Sequence, residues 1–248
     1  MLGIIGGSGL TELANLEATR QEVVRTPYGS PSGALTFGKI RGREVVFLAR
    51  HGAGHTIPPH EVNYRANIWA LHSRNVKDVV SVAAVGGIRA DLGPGTLAVP
   101  DQVIDYTHGR PSTFFTRTDS PVTHIDFTHP YCEAMRQQLL RAATLAGELA
   151  TAGGTYAATQ GPRLETAAEI NRLERDGADM VGMTGMPEAA LARELGLCYA
   201  AIVVVVNHAA GRGASAQSIS NADMTEVLRP AMARVCKIIE KLVTLDGH

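Results

Sequence analysis

The chain has 248 residues, of which 45% are hydrophobic, and its 23 basic and 24 acidic side chains give a net charge of −1 at pH 7. This length and apolar content suffice for one large α/β domain, and we expect a single domain over residues 1–248. Without a basic run, the chain lacks the positive surface that a nucleic-acid partner requires, whereas a small anionic substrate is compatible with it.

Two further features bear on the cellular compartment. The three cysteines, Cys132, Cys198 and Cys236, are odd in number and lack CxxC spacing, so we expect neither a disulfide framework nor a zinc site. The first predicted strand begins at the second residue, which leaves no room for a secretion signal, and no apolar run is long enough to span a membrane. We therefore expect a cytoplasmic protein with no membrane partner.

Short apolar runs alternate with amphipathic stretches along the chain. The runs predict strands over residues 2–5, 35–40, 45–49, 79–84, 97–100 and 200–206. The amphipathic stretches predict helices over residues 62–72, 130–145, 166–176 and 187–195, and from residue 224 to the C-terminal end. This alternation predicts an α/β fold without internal repeats.

Two predicted strands end at residues suited to an anion. The first runs into Gly6-Gly7-Ser8-Gly9, and the strand over 45–49 runs into Arg50 and His51. Because the carboxyl ends of strands in open α/β sheets border the ligand crevice, these residues indicate a phosphate site. A dinucleotide fingerprint would need glycine where Glu12 stands, and a Walker loop is absent. An ordinary tight turn after the first strand remains the alternative.

Three other segments place polar side chains at the ends of predicted elements. Asn207 follows the most apolar strand and either contacts a heterocyclic substrate or caps a turn. Glu165 stands at a helix start, where it either reads a ligand or complements the helix dipole. In the strand-to-helix connection near residue 184, Thr184 suits an anion and Met183 a sugar face, unless the segment is only a connection.

Three histidines raise the question of a metal site. His51, His55 and His60 are close in sequence, but glycines and prolines interrupt any helix that would align them, and no carboxylate or cysteine supports the set. We therefore expect no metal. Residues 106–129 show no periodicity and predict a functional or interface loop, and the small polar segment 211–220 predicts a gate over the site.

Several motifs follow one another in a characteristic order along the chain: residues 3–10, Ala49-Arg50-His51-Gly52, His55-Thr56, residues 62–71, Gly161-Pro162-Arg163, Met183-Thr184 and Met186-Pro187-Glu188. Taken together, they resemble those of the trimeric nucleoside phosphorylases, and within them the methylthioadenosine phosphorylase branch. The resemblance implies a mixed central β-sheet flanked by helices, a homotrimer whose sites are completed by a neighbouring subunit, inorganic phosphate as co-substrate, and no metal or organic cofactor.

Carried over by position, the resemblance assigns roles at the phosphate and the ribose. Met183 is expected to lie against the ribose, and Ala83 replaces the threonine that methylthioadenosine phosphorylases usually have beside the phosphate, so one hydroxyl donor is lost. The expected phosphate ligands are Ser8, Arg50, His51, the backbone of Ala84, and Thr184.

The expected base pocket departs from that branch. Enzymes of the branch that accept 6-aminopurines have Asp-x-Asp after the last buried strand and a serine after Gly-Pro-Arg-Phe, whereas this chain has Asn207-His208-Ala209 and Leu164-Glu165. Both changes resemble the purine nucleoside phosphorylases, in which Glu and Asn read a 6-oxopurine. A 6-oxopurine offers N1–H to a carboxylate and O6 to an amide, and adenine offers neither.

The expected pocket for the 5′ end of the sugar is apolar. Met224 stands where purine nucleoside phosphorylases have a histidine for the 5′-hydroxyl, and Leu228 lies one helical turn later on the same face. These two side chains suit a methylthio group, although ordinary core packing would also explain them. His124 resembles the residue that reaches this pocket from the adjacent subunit.

These departures lead to one expected reaction, the phosphorolysis of 5′-methylthioinosine to hypoxanthine and 5-methylthioribose 1-phosphate. The expected catalytic residues are His51, Glu165 and Asn207. The alternatives are a purine nucleoside phosphorylase for inosine and guanosine, a methylthioadenosine phosphorylase, and a non-catalytic purine- or phosphate-binding protein.

Overall fold

The computed structural model describes residues 1–116, 118–119 and 121–245. Within this part of the chain the helices are α1 (Tyr64–His72), α2 (Glu133–Leu145), α3 (Ala167–Arg175), α4 (Gly185–Glu194) and α5 (Asn221–Leu242). The strands are β1 (Leu2–Gly6), β2 (Glu17–Glu22), β3 (Leu35–Ile40), β4 (Arg43–Ala49), β5 (Asp78–Gly87), β6 (Leu97–Val99), β7 (Gln102–Asp105), β8 (Ala150–Ala152), β9 (Thr155–Ala158), β10 (Met180–Gly182) and β11 (Cys198–His208).

All of these strands belong to one mixed sheet, as predicted. Strands β4, β1, β5 and β11 run parallel and form its centre, while β2 and β3 extend it antiparallel beyond β4. On the far side of β11 lie β6 and then β8. The remaining branch, β10, β9 and β7, attaches to the C-terminal end of β5.

The central strands are apolar on both faces because helices cover both. Along β11, Val203 and Val205 pack into the layer that contains α1 and α4, whereas Ile202 and Val204 pack into the layer that contains α2 and α5. This alternation is the period of two that a strand imposes on its side chains. The continuous valine run therefore forms the middle of a helix–sheet–helix sandwich.

The predicted strands and helices are confirmed, with shifts of a few residues at their ends. Five strands were not predicted, β2, β7, β8, β9 and β10, because they are either short or, in β2, almost wholly exposed and polar. Within residues 106–129, positions 117 and 120 lie outside the described residues, and the described positions contain no helix or strand. The last helix ends at Leu242, and residues 246–248 also lie outside the described part.

The expectation about cysteines was wrong. Cys132 and Cys198 form a disulfide, with their Cα atoms 5.1 Å apart, and Cys236 is free. The backbone N–H of Cys132 donates to the carbonyl of Tyr199 at 2.8 Å, which brings the residue before α2 beside the start of β11. A pair separated by 66 positions and joined by tertiary contacts has no signature in local spacing. The bridge also removes the argument from cysteines for a reducing compartment.

In the described residues, no helix combines the length and the hydropathy needed to cross a bilayer.

Candidate active site

A cavity of about 390 Å³ lies at the carboxyl ends of β1, β4 and β11, where the sequence predicted a ligand crevice. Most of the residues predicted for the site line it: Ser8, Arg50, His51, Ala84, Leu164, Glu165, Met183, Thr184, Asn207 and Met224. Two predicted residues, His124 and Leu228, do not line it. His124 is exposed on the irregular segment, and Leu228 packs against the apolar layer formed with α5.

The cavity lies where strand β5 changes its partner. One edge of β5 pairs with β1 as far as Ser81 and with β10 only from Gly86 onward. Between them, the carbonyl of Val82 accepts a hydrogen bond from Arg50 Nη1 at 3.0 Å. Peptide groups two residues apart in a strand point to the same edge, so the Ala84 peptide group faces this gap as well. An anion there would face the backbone N–H of Ala84.

The turn after β1 is glycine-rich because the chain passes very close to its neighbours. A Cβ atom at Gly7 would lie 2.5 Å from the Val82 carbonyl oxygen and 2.8 Å from Arg50 Nη1, and Gly9 has a φ of +77°. Ser8 follows this approach and places its hydroxyl 3.4 Å from His55 Nε2. Two motifs that are far apart in sequence therefore meet at one side of the cavity.

Arg50 is buried and is neutralised by Glu188. Its Nε lies 2.7 Å from Oε2 and its Nη2 lies 2.9 Å from Oε1 of that carboxylate. Nη2 also donates to Ser81 Oγ at 2.6 Å. Together with the bond to Val82, these contacts engage four of the five guanidinium hydrogens and leave one on Nη1. Arg50 can therefore offer a phosphate one donor, rather than the bidentate fork expected of a free arginine.

The ion pair sets the charge of both partners. Burial alone would lower the pKa of Arg50, but the Glu188 carboxylate outweighs it and raises that pKa. Burial alone would likewise raise the pKa of Glu188, and the charge of Arg50 with hydrogen bonds from Arg50, Ser81 and Tyr199 keeps it below its usual value. Both side chains are therefore ionised at neutral pH.

His51 lies beside this pair and is uncharged at neutral pH. Burial, followed by the positive charge of Arg50, lowers the pKa of His51 to about 4. Its Nδ1 lies 2.8 Å from the carbonyl oxygen of Ile57, which can only accept, so Nδ1 carries the proton. Nε2 then has a free lone pair and can accept a hydrogen bond from a protonated phosphate oxygen.

Thr184 lies at the start of α4 and lines the cavity. It is the N-cap residue, and its side chain makes no capping hydrogen bond. Met186 has extended dihedral angles, so the regular helix begins at Pro187, as predicted. The neighbouring Met183 packs against the turn before α3, where a Cβ atom at Gly161 would lie 2.4 Å from its sulfur. These contacts fix a hydroxyl and a thioether on the cavity wall.

Glu165 is not the residue that caps α3. Thr166 is the N-cap, and its side chain and that of Glu169 form a reciprocal capping box. The carboxylate of Glu165 instead accepts a hydrogen bond from Thr159 Oγ1 at 2.7 Å through Oε1. Because Glu169 supplies the negative charge at the helix start, Glu165 is not needed to complement the helix dipole, which was its alternative role. Its other oxygen is available to a ligand.

Asn207 follows an irregularity in β11. The pairing of β11 with β5 shifts between Val205 and Asn207, and Asn207 then lies opposite Gly86. Its Nδ2 donates to the carbonyl of His208 at 2.6 Å, which fixes the amide plane. This bond uses one of the two N–H groups and leaves the second N–H and Oδ1, so a local contact and a ligand contact are compatible.

The 5′ end of the predicted site is only partly as expected. Met224, in the first turn of α5, and Ile219, in the segment 211–220, both line the cavity. Leu228 is one turn further along, where its side chain would lie 2.7 Å from a Cβ atom at Gly9. Met224 therefore supplies the apolar wall, and Leu228 supports the glycine-rich turn behind it.

Several residues of the site were not predicted. Glu188 was recognised only as part of the Met186-Pro187-Glu188 motif, although it is the partner of Arg50. The hydroxyls of Ser81 and Tyr199 also donate to it, at 2.7 and 2.8 Å. Thr159 and the buried Arg110 were not singled out. The sequence did contain a signal for Glu188, because it is an acidic residue in an otherwise apolar predicted helix. A carboxylate buried there requires a charged or hydrogen-bonding partner.

The described residues, 1–116, 118–119 and 121–245, contain no cluster of three or more His, Cys, Asp or Glu side chains that could hold a metal ion. Of the histidines considered, His51 and His55 are in ring contact, with centroids 4.8 Å apart. His60 instead lies 3.5 Å from Glu61.

Known proteins resemble this chain along nearly its whole length. The chain is 52% identical over 241 residues to a probable S-methyl-5′-thioinosine phosphorylase of Pseudomonas syringae pv. tomato, with 97% of each chain covered. It is 43% identical to a 6-oxopurine nucleoside phosphorylase of Pyrococcus furiosus, covering 98% of this chain and 92% of that one.

The fold has close counterparts among solved structures. Methylthioadenosine phosphorylase from Schistosoma mansoni in complex with adenine matches 99% of this chain and 91% of its own length, with a TM-score of 0.93 and 35% identity. The family model of the phosphorylase superfamily matches residues 1–244. Fold, motifs and relatives agree over nearly the full length, and the chain belongs to the phosphorylase superfamily.

Proposed function

We propose that this chain catalyses the phosphorolysis of 5′-methylthioinosine to hypoxanthine and 5-methylthioribose 1-phosphate. The observation that carries the proposal is that Glu165 and Asn207 line the same cavity as Ser8 and Arg50. The relatives named for S-methyl-5′-thioinosine and 6-oxopurine nucleosides support the same substrate class.

At the phosphate end, the ligands are hydrogen-bond donors rather than a net positive charge. Arg50 is paired with Glu188, so its remaining Nη1 hydrogen acts with the Ser8 and Thr184 hydroxyls and the Ala84 backbone N–H. His51 accepts from a protonated oxygen through Nε2. Donors held by the fold require no reorganisation when phosphate becomes the nucleophile.

At the purine end, Glu165 accepts from N1–H, and Asn207 donates from its free N–H to the O6 or N7 region. As phosphate attacks C1′, the C1′–N9 bond breaks through an oxocarbenium-like state and its electron pair moves onto the purine. Asn207 stabilises that charge. Adenine has no N1–H, so it would leave the Glu165 carboxylate without a donor, at about 1–3 kcal/mol for each unpaired group.

At the 5′ end, Met224 and the half-buried Ile219 favour a methylthio group over a hydroxyl. An apolar pocket rejects an added hydroxyl by only about a hundredfold, so we expect inosine to be a slower substrate rather than an inert one. A purine nucleoside phosphorylase acting on inosine or guanosine is therefore the second candidate. The observation in its favour is that Glu165 and Asn207 suit the 6-oxopurine base of inosine and guanosine as well as that of methylthioinosine.

The remaining expectations belong to the same proposal. We infer a homotrimer in which His124, which is exposed and does not line the cavity of its own chain, reaches the site of a neighbouring subunit. Segment 211–220 is proposed to gate the site through Ile219. Phosphate is the co-substrate, no organic cofactor takes part, and the protein is cytoplasmic and a single domain.

To test this proposal, kcat/KM for phosphate-dependent cleavage is measured for methylthioinosine, methylthioadenosine, inosine and adenosine under the same conditions. A preference for methylthioinosine supports both pocket assignments. If inosine is preferred, Met224 does not select the 5′ group, and if methylthioadenosine is preferred, Glu165 and Asn207 do not select the base. Binding of hypoxanthine and phosphate without product would instead indicate a non-catalytic protein.

A further inference from the structure

Two buried arginines, Arg110 and Arg136, lie outside both the cavity lining and the proposed mechanism, and only Arg110 bonds the loops that carry site residues. Arg110 lies in the irregular segment after β7 and is 8% exposed. Among the described residues, its hydrogen-bond acceptors are all neutral, including the hydroxyl of Tyr64 at 3.2 Å. A guanidinium buried without a carboxylate is costly unless its N–H groups are all bonded, so the acceptors that it uses indicate what it does.

Those acceptors belong to two separate loops of the site. In the loop before α3, Arg110 donates Nη2 to the carbonyls of Thr159 at 3.3 Å and Gln160 at 2.8 Å, and Nε to Gln160 Oε1 at 3.2 Å. In the loop before α4, it donates Nη1 to the carbonyls of Met183 at 2.8 Å and Met186 at 2.7 Å. The last backbone bond between β9 and β10 runs from Thr159 N–H to the Gly182 carbonyl at 2.8 Å, and the Arg110 guanidinium joins the two loops beyond it.

Each loop carries one end of the proposed site. Met183 and Met186 flank Thr184, whose hydroxyl is a proposed phosphate ligand. Thr159 leads to Glu165 and also holds it, because Thr159 Oγ1 donates to Glu165 Oε1 at 2.7 Å while its own carbonyl accepts from Arg110. The base-reading carboxylate and the phosphate-binding hydroxyl are thus both connected to Arg110 through backbone carbonyls.

We propose that Arg110 is a positioning residue that fixes the base-binding and phosphate-binding loops relative to each other, with Thr159 passing this constraint to Glu165. The proposal rests on the function assigned above, because it takes Glu165 and Thr184 as substrate contacts. Lysine could not replace Arg110, since its single nitrogen cannot reach both loops as the guanidinium fork does.

The first test is Arg110→Gln against a matched control, Arg136→Gln. Arg136 is also buried, at 7% exposure, and its Nε donates to the Pro100 carbonyl at 2.9 Å, but it does not line the cavity. We expect Arg110→Gln to raise the KM for both phosphate and methylthioinosine and to lower kcat/KM by about a hundredfold, as misplaced ligands do. Arg136→Gln should lower the thermal midpoint while leaving both KM values within about twofold, and Arg110→Lys should not restore activity.

The second test keeps Arg110 and removes the link to Glu165. Thr159→Val loses the hydroxyl but retains the carbonyl, so we expect a raised KM for the nucleoside, an unchanged KM for phosphate, and rescue by Thr159→Ser. In the double variant with Arg110→Gln, the Thr159→Val effect on nucleoside kcat/KM should be smaller than in the parent, because Glu165 is already released.

The outcomes separate the two proposals. If the wild-type protein forms no product in the presence of phosphate, the proposed function is overturned. The affinities of Arg110→Gln and Arg136→Gln for phosphate and hypoxanthine would then be compared by calorimetric titration. If the wild type is active and Arg110→Gln has the same KM and kcat/KM values as Arg136→Gln, the positioning role is overturned. Multiplicative effects of Arg110→Gln and Thr159→Val would overturn the connection through Thr159. If Arg110→Gln does not fold, an unchanged nucleoside KM in Thr159→Val overturns that connection instead.

Discussion

The side chains of Arg50 and Glu188 form a bidentate ion pair beneath the cavity, and they are only 1% and 0% exposed. The hydroxyls of Ser81 and Tyr199 also donate hydrogen bonds to Oε1 of the carboxylate. The pair holds Arg50 against the Val82 carbonyl, so the orientation of its one uncommitted N–H depends on a residue that is distant in sequence and does not line the cavity.

Glu188→Gln should therefore destabilise the protein strongly. It leaves the buried Arg50 without a counter-charge, and breaking such a pair costs on the order of 3–5 kcal/mol. Urea unfolding at pH 7 measures the loss. Asp91→Asn, which removes the carboxylate of the exposed pair with Arg89, is the control and should change the midpoint little. A similar midpoint shift for the two variants would contradict the role assigned to burial.

Asn207→Asp tests the purine contact. Aspartate has no N–H for the O6 or N7 region of a 6-oxopurine, and an unpaired group of this kind costs about 1–3 kcal/mol, or roughly 10- to 100-fold in kcat/KM. The same variant should gain activity on methylthioadenosine, whose exocyclic amino group can donate to the carboxylate. Steady-state kinetics on both nucleosides is the measurement. Unchanged kinetics would mean that Asn207 serves only the contact with His208.

Met224→His tests the wall at the 5′ end. A histidine there offers a hydrogen bond to a 5′-hydroxyl and removes the apolar surface, so the ratio of inosine to methylthioinosine kcat/KM should rise by up to about a hundredfold. Leu228→Met nearly conserves volume at the neighbouring position behind the glycine-rich turn, and this ratio should not change. An unaltered ratio in Met224→His would remove Met224 from the specificity argument.

His51 should make the free protein less stable in mild acid. Because its pKa falls to about 4 on folding, the unfolded chain binds a proton that the folded chain does not between about pH 6.5 and pH 4. Unfolding free energy should therefore decrease as the pH falls through this window, by roughly 3 kcal/mol when the window has been crossed. Above pH 7 this contribution is constant.

The measurement is urea unfolding of wild type and His51→Asn, without phosphate, at a series of pH values. Asparagine can keep the donor to Ile57 and does not titrate, so the difference in unfolding free energy between the two proteins should change below pH 6.5 and stay constant above pH 7. A difference that stays constant down to pH 4 would show that His51 does not lose its proton preferentially in the folded state.

How far the sequence predicts this fold depends on the strand concerned. The buried strands β1, β4, β5 and β11 are long apolar runs, and their positions are confirmed. Strand β2, Glu-Ala-Thr-Arg-Gln-Glu, has no apolar face and exists because its backbone pairs with β3. The three-residue strands β8 and β10 are shorter than any periodicity that could reveal them.

For the site, the sequence predicted the residues at strand ends but not their supporting contacts. Ser8, Arg50 and Asn207 were recognisable because polar groups directly after buried strands are unusual. Glu188, Thr159 and Arg110 act through hydrogen bonds across 138, 6 and at least 46 positions, and no local pattern encodes those partners. The roles of the lining residues and the single-domain organisation stay predictions.

The capping box of α3 has a consequence for how such a site can diverge. Thr166 and Glu169 hold the start of the helix by themselves, so the neighbouring Glu165 contributes no cap and no helix charge that the fold requires. Substitution at Glu165 should thus alter the choice of purine with little loss of helix stability. One residue separates the position that selects the substrate from the position that secures the scaffold, and closely similar folds can therefore serve enzymes with different nucleoside preferences.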